Sequence, residues 1–236
     1  MSASGLFVTG TDTGVGKTLV ACGLTRALAA LGLKVAVLKP VASGSLRTPQ
    51  GLRNEDALDL AACANLGQTY EEVNRYCFEP PISPHIAADE ANTHIDTGLI
   101  AADFRALASR ADWVVAEGAG GWLAPIGPRE TMADLAAALP AQVLLVVGLR
   151  LGCLNHAALT RAAIRERGIA CAGWVGSALD PQFARAQENL ATLSAALGEP
   201  PLEIVPYQAP GAPPLVLAQA AAQLTQRGLK HLRRLE

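Results

Sequence analysis

Short apolar runs alternate along this chain with stretches whose apolar positions recur at helical spacing. The runs Leu6–Thr9, Lys34–Leu38, Trp113–Ala116, Val143–Val147, Ala172–Val175 and Leu202–Val205 predict six strands. Helices are predicted between them over Thr18–Leu31, Glu55–Cys63, Leu99–Ser109, Met132–Ala138, Asn155–Arg167 and Phe183–Leu197, with a last one over Leu215–Arg227. A run such as Val143-Leu144-Leu145-Val146-Val147 shows no polar alternation. Strands of that kind suit a parallel sheet covered on both faces. The alternation therefore predicts an α/β fold: a doubly wound, mostly parallel sheet with helices on both faces and right-handed crossovers. No internal repeat, low-complexity tract or linker breaks the pattern, and the prolines at 200–201 and 210–214 sit in segments too short to separate domains. Residues 1–236 read as a single domain.

Composition agrees with that picture and narrows the function. Half of the residues are hydrophobic and 17% are charged, which leaves apolar surface for a sizeable core. Aromatics make up only 4%, with Ala, Leu and Val abundant, which favours helices on a parallel sheet over a β-sandwich. A net charge of −2 argues against a nucleic-acid surface. Cys22, Cys63, Cys77, Cys153 and Cys171 are odd in number and scattered, which reads as reduced thiols in a cytoplasmic protein. No charged-then-apolar start predicts a signal peptide, and no apolar run reaches the roughly 18 residues of a membrane span.

In open α/β sheets, ligands bind beyond the C-terminal ends of the strands. The polar and glycine-rich segments fall there: Gly10–Thr18, Lys39–Gly44, Glu117–Gly121, Gly148–Asn155, Gly176–Pro181 and Pro206–Gln208. The first is Gly10-Thr11-Asp12-Thr13-Gly14-Val15-Gly16-Lys17-Thr18, between a strand and a helix. That is the arrangement of a P-loop NTPase. Glycines let backbone N–H groups face phosphate oxygens, and the helix start adds unpaired donors. Lys17 neutralises the outer phosphates and the Thr18 hydroxyl is suited to magnesium. The loop is a variant, because the common spacing places glycine at position 11, where this chain has Thr.

Glu117 ends the third strand and precedes Gly118-Ala119-Gly120-Gly121, where an acid binds the magnesium of a phosphate-loop site. Lys39 ends the second strand, as a crevice cation or as an exposed strand-end residue. Ser43 follows it as a donor or acceptor for substrate. Asp56 reads both as a second magnesium ligand and as an acid on a helix dipole. Asn155 is expected to cap the helix after Gly148, with the helix start free to bind a carboxylate. His85, His94 and His231 form no metal pattern, His156 reads as structural, and Cys153 has no base at interpretable spacing.

These segments together resemble the dethiobiotin synthetase family. The resemblance is carried by Phe7 to Thr18, Lys39 to Gly44, Asn54 to Leu58, Ser83-Pro84-His85, Val115 to Trp122 and Leu151 to His156, in order, over residues 6 to about 208. The family shares the variant loop spacing. It implies that 7,8-diaminononanoate, CO2 and ATP yield dethiobiotin, ADP and phosphate through a carbamate and a carbamic-phosphoric anhydride. Carried over by position, Lys17 and Lys39 are catalytic, and Thr18, Asp56 and Glu117 hold Mg2+. The nucleotide falls to Thr13, Gly14, Val15, Gly16, Lys17, Thr18, Leu19, Asp56, Glu117, Gly118, Ala119, Gly120, Ser177, Ala178, Pro206, Tyr207 and Gln208. The diamine and its carbamate fall to Thr13, Lys39, Ser43, Gly152, Cys153 and Asn155. The family is homodimeric, and the substrate carboxylate meets residues Gly152–Asn155 of the other subunit. No nucleic acid or membrane partner is implied. Members often carry Asn after Trp-Val-x, where this chain has Ser177; one hydroxyl replaces a bidentate amide, so looser base selectivity is expected. Two other readings share the loop. A partitioning-type ATPase would carry a second lysine where Asp12 stands, and a cobyrinate-type amidoligase would need a glutaminase domain for which this chain has no room.

Overall fold

The structure, a computed structural model, describes residues 3–209 and 211–232, the last five of these by backbone alone. Pro210 and the His231 side chain lie outside the described residues. Six strands form one parallel sheet: β1 (Ser4–Gly10), β2 (Val35–Leu38), β7 (Trp113–Glu117), β8 (Gln142–Leu149), β9 (Cys171–Ala178) and β10 (Glu203–Val205). Their spatial order is β10-β9-β8-β1-β7-β2, with every pairing parallel.

The unbroken apolar runs have the meaning expected of them. Along β7, Trp113 and Val115 face one side, with Val114 and Ala116 on the other, and all four are buried. One face carries α1 (Lys17–Ala30), α2 (Glu55–Cys63), α3 (Tyr70–Val73) and α9 (Ala218–Leu232). The opposite face carries α4 (Pro84–Glu90), α5 (Thr97–Ala108), α6 (Met132–Ala138), α7 (Cys153–Glu166) and α8 (Ala186–Leu197). The chain leaves β1 toward β7 and β2 and returns to β8 on the other side, so the order reverses beside β1. The crevice outside such a reversal is where this architecture binds ligands.

Between β2 and α5 the chain folds in a way its periodicity did not reveal. β3 (Val41–Ala42) pairs in parallel with β6 (Tyr76–Cys77), and β4 (Leu46–Thr48) pairs with β5 (Gly51–Arg53) as a hairpin. These pieces, with α3 and α4, are too short for a period to register. Helix starts also move. The helix predicted from Phe183 begins at Ala186, and the one predicted from Leu215 begins at Ala218. Leu215 and Leu217 lie extended over α1 instead, where the Leu217 N–H donates to the Gly23 carbonyl at 3.1 Å.

Candidate active site

The phosphate loop is built by shape before charge. β1 ends at Gly10, and the Thr11 N–H donates to the Val146 carbonyl at 3.0 Å. Val15 is 1% exposed, and a Cβ on Gly10 would stand 2.6 Å from its Cγ2. A Cβ on Gly148 of β8 would meet Val15 at 2.9 Å. Val15 is thus a plug seated between two strands, and Gly10 is the glycine that admits it. Gly14 and Gly16 take φ of +70° and +87°, which only glycine adopts freely. Gly16 caps α1, and the Lys17 ammonium bridges back to the Asp12 carbonyl at 3.0 Å.

Four polar side chains meet beside this loop. Lys39 Nζ lies 2.6 Å from Glu117 Oε1 and 2.8 Å from Asp56 Oδ2. The Thr18 hydroxyl donates to Glu117 Oε1 at 2.8 Å. Lys39 is 3% exposed and Glu117 1%, so the lysine is no surface strand-end residue. Burial disfavours the Lys39 ammonium, but Glu117 and Asp56 outweigh it and hold the group above the ordinary lysine value. Burial raises Glu117 above the usual carboxylate range, with Lys39 opposing and Asp56 reinforcing the rise. For Asp56 burial acts upward, but Lys39 prevails and the net direction is down. The two directions at the Lys39–Glu117 pair agree physically: one ammonium shared by two carboxylates stays charged and leaves the deeper one under-compensated. Lys17 is lowered to about 8, by burial first and by Lys39 second.

Glu117 Oε2 is buried with no hydrogen-bond partner among the described residues. With Asp56 and the Thr18 hydroxyl it offers the oxygen donors a hard divalent cation takes, and its carboxyl, pushed up first by burial and further by Asp56 against the pull of Lys39, is one that added positive charge would relieve. The donor set therefore fits Mg2+.

A cavity of about 440 Å³ opens over these groups, lined by Thr13, Gly14, Gly16, Lys17, Thr18, Leu19, Lys39, Ser43, Asp56, Glu117, Ala119 and Gly120 among others. A second, of about 400 Å³, shares Thr18, Leu19 and Asp56 and reaches Gln208 and the proline-rich segment before α9. Other expected site residues lie elsewhere. Gly118 is packed on Phe7. Ser177 is 2% exposed and sits under the loop, where a Cβ on Gly16 would meet its hydroxyl at 2.7 Å. Ala178 ends β9; Pro206 and Tyr207 follow β10, and Tyr207 is exposed. Gly152, Cys153 and Asn155 line neither cavity.

The start of α7 corrects the expected cap. Gly152, at φ +95°, is the N-cap, and Asn155 is the third residue of the helix with an exposed side chain. A glycine in the left-handed region turns the chain from Leu151 directly into the helix, so no side-chain cap is needed. Sequence reasoning also missed Asn54, which lines the first cavity and caps α2 two residues before Asp56. An Asn preceding Glu55-Asp56 was a readable signal for it.

Residues 4–214 match a family model described as an AAA domain. The ATP-dependent dethiobiotin synthetase BioD of Pseudomonas paraeruginosa is 50% identical over 213 residues, covering 90% of this chain and 93% of the relative. The enzyme of the same name from Cellvibrio japonicus is 48% identical over 206 residues, covering 87% and 90%. A ParA family ATPase from Chlorobium tepidum superposes with a TM-score of 0.54 at 12% identity, over 95% of this chain and 98% of that one. That likeness shows the P-loop NTPase fold alone.

Proposed function

The chain belongs to the ATP-dependent dethiobiotin synthetase family, and from that premise we propose that it closes the ureido ring of dethiobiotin from 7,8-diaminononanoate and CO2. It is an ATP-using ligase, and the relatives' names support a place in biotin synthesis. One amine of the substrate takes up CO2 as a carbamate. The carbamate oxygen attacks the γ-phosphorus of ATP, ADP leaves, and a carbamic-phosphoric anhydride forms. The second amine attacks the carbonyl carbon and phosphate departs.

The observation that carries this reading is the buried Lys39, held by Glu117 and Asp56 against the cavity that Lys17, Thr18 and Ser43 also line. The reaction gathers a carbamate, a γ-phosphate and a leaving diphosphate, all anionic. Two lysines on rigid elements stabilise that charge, and a cavity that orients the partners does most of what phosphoryl transfer asks of a protein. The Gly14–Thr18 backbone cradles the triphosphate, Lys17 faces its outer oxygens, and Lys39 faces the carbamate and the transferring group. Ser43 contacts the diamine or its carbamate. Thr18, Asp56 and Glu117 would hold Mg2+, which when bound neutralises phosphate charge. Leu19 and Gln208 fit the nucleoside end, since both line the adjoining cavity. The reading includes a homodimer in which residues 152–155 of one subunit bind the substrate carboxylate of the other. Support comes from the exposed Leu151 and Leu159 flanking that helix start.

The test is ADP formation by the purified chain with each component left out in turn. Turnover should require the diamine and CO2 or bicarbonate together. Hydrolysis of ATP that proceeds without the diamine and ignores its addition would overturn the reading.

A further inference from the structure

The polar chain behind Lys39 runs to a residue that the reaction above does not use. Tyr70 opens α3. Its hydroxyl accepts the Asn54 backbone N–H at 2.7 Å and donates to Asn74 Oδ1 at 3.0 Å. Asn74 Nδ2 donates to the Lys39 carbonyl at 2.6 Å and to the Tyr76 carbonyl at 3.2 Å. Asn54 caps α2 and its amide donates to the Ser43 carbonyl at 3.3 Å. Cys77 Sγ lies 3.5 Å from the same hydroxyl and donates to Ser45 Oγ at 3.1 Å. The Arg53 guanidinium sits 4.1 Å over the ring. Asn54 and Asn74 are 6% and 3% exposed. Burial, then Cys77, raises the phenol above its ordinary value, which keeps the hydroxyl proton in place.

We propose that Tyr70 is a positioning residue whose hydroxyl locks the strand end presenting Lys39 to the helix presenting Asp56. This role rests on the reaction proposed above. A phenol hydroxyl has one donor and two acceptor sites, enough to join two elements at one atom. Lys39 and Asp56 arrive on separate elements, and Tyr70 reaches both through one residue each: Asn74 to Lys39, and Asn54 to α2. Without the hydroxyl, a buried N–H and a buried amide oxygen lose partners, and each side is free to settle elsewhere. Misplacement by about 1 Å is enough to slow a positioned reaction by roughly 10²-fold.

The experiment compares Tyr70→Phe, Lys39→Met and the double variant with wild type in diamine-dependent ADP formation, with kcat and both KM values measured. Tyr70→Phe should lower kcat about tenfold and leave the KM for ATP within about twofold, because the phosphate loop is held by β8 and α1 rather than by this chain. The double variant should be no slower than Lys39→Met alone, since the ammonium being positioned is gone. Asn74→Ala breaks the chain from its other side and carries the same expectation, so it decides the matter should Tyr70→Phe not fold. Unchanged kcat in Tyr70→Phe, ATP KM rising in step with lost kcat, or losses that multiply in the double variant would each overturn the role. Wild type without diamine-dependent turnover overturns the reaction and this role together; an active wild type with an unaffected Tyr70→Phe overturns this role alone.

Discussion

Lys39 is 3% exposed between two carboxylates, so the residue proposed to carry the chemistry also holds the fold together. Lys39→Met keeps the stem and deletes the charge. It should lower turnover by at least about 10²-fold, the scale for losing a preorganised charge-stabilising group. It should also destabilise the protein by about 3–5 kcal/mol, because Glu117 remains buried without its counter-ion. Adding Glu117→Gln should restore much of that stability and none of the activity. Urea unfolding beside steady-state kinetics reads both, and a Lys39→Met protein of full stability would show that the pair contributes little. Gly16 poses the opposite case, a site that tolerates no side chain. At φ +87°, with the Ser177 hydroxyl 2.7 Å from the Cβ position, Gly16→Ala carries both strain and a clash. A cost of about 1–3 kcal/mol is expected, together with weakened ATP binding in titration. Unaltered affinity would mean that the loop does not grip phosphate through this turn.

Elements of this chain were legible where they are long and periodic. The runs at Val143–Val147 and Trp113–Ala116 gave the two-sided sheet because no polar residue interrupts them, and each strand does pack on both faces. The site was legible where a local motif carries it: Gly14, Gly16, Lys17 and Thr18 in one loop, Glu117 at a strand end. What the sequence hid is tertiary. The burial of Lys39 depends on Asp56 and Glu117, 17 and 78 residues away. The Tyr70–Asn74 relay depends on a four-residue helix that no periodicity announces. The sequence points to Asn155 as the cap of α7, and only the φ of +95° at Gly152 moves it there. α6 shows how a short helix is secured. Thr131 and Asp134 form a capping box, and Arg167 reaches Asp134 at 2.7 Å. Burial works to raise the Asp134 carboxyl, but the Thr131 hydroxyl and N–H outweigh it, and the group is held below its ordinary value. A depressed carboxylate stabilises the fold above its unfolded value, near pH 3.9, and the contribution fades as pH falls through the folded value. Asp134→Asn should therefore lower stability by about 1 kcal/mol at pH 7, and its thermal midpoint should converge on that of wild type as pH falls below the unfolded value and through the lower folded one. A gap that widens on acidification would contradict the assignment.

At the scale of the whole molecule, the parallel sheet gathers the phosphate loop, Lys39 and Glu117 at the C-terminal ends of β1, β2 and β7. β8 ends at the same edge, beside the phosphate loop. Arg150 pairs with Asp12 of the phosphate loop at 2.6 Å, Leu151 stands 94% exposed beside it, and Gly152 then opens α7. Residues 152–155 at that helix start line neither cavity of their own chain, and the proposed dimer would cover the exposed leucine that precedes them. If the second copy's α7 start completes the substrate site, each active site is built from two chains, and complementation follows. Lys39→Met damages the catalytic half of a site. Gly152→Val damages the other half, because a β-branched residue cannot hold φ +95° without strain. Each variant alone should be nearly inactive. In a two-fold dimer, mixing the two allows one site per heterodimer to draw an intact half from each chain. Random exchange at equal amounts should then restore about a quarter of wild-type turnover, with the diamine KM of wild type in the restored fraction. Mixtures that never exceed the sum of their parents, under conditions where labelled subunits are seen to exchange, would mean that each chain completes its own site.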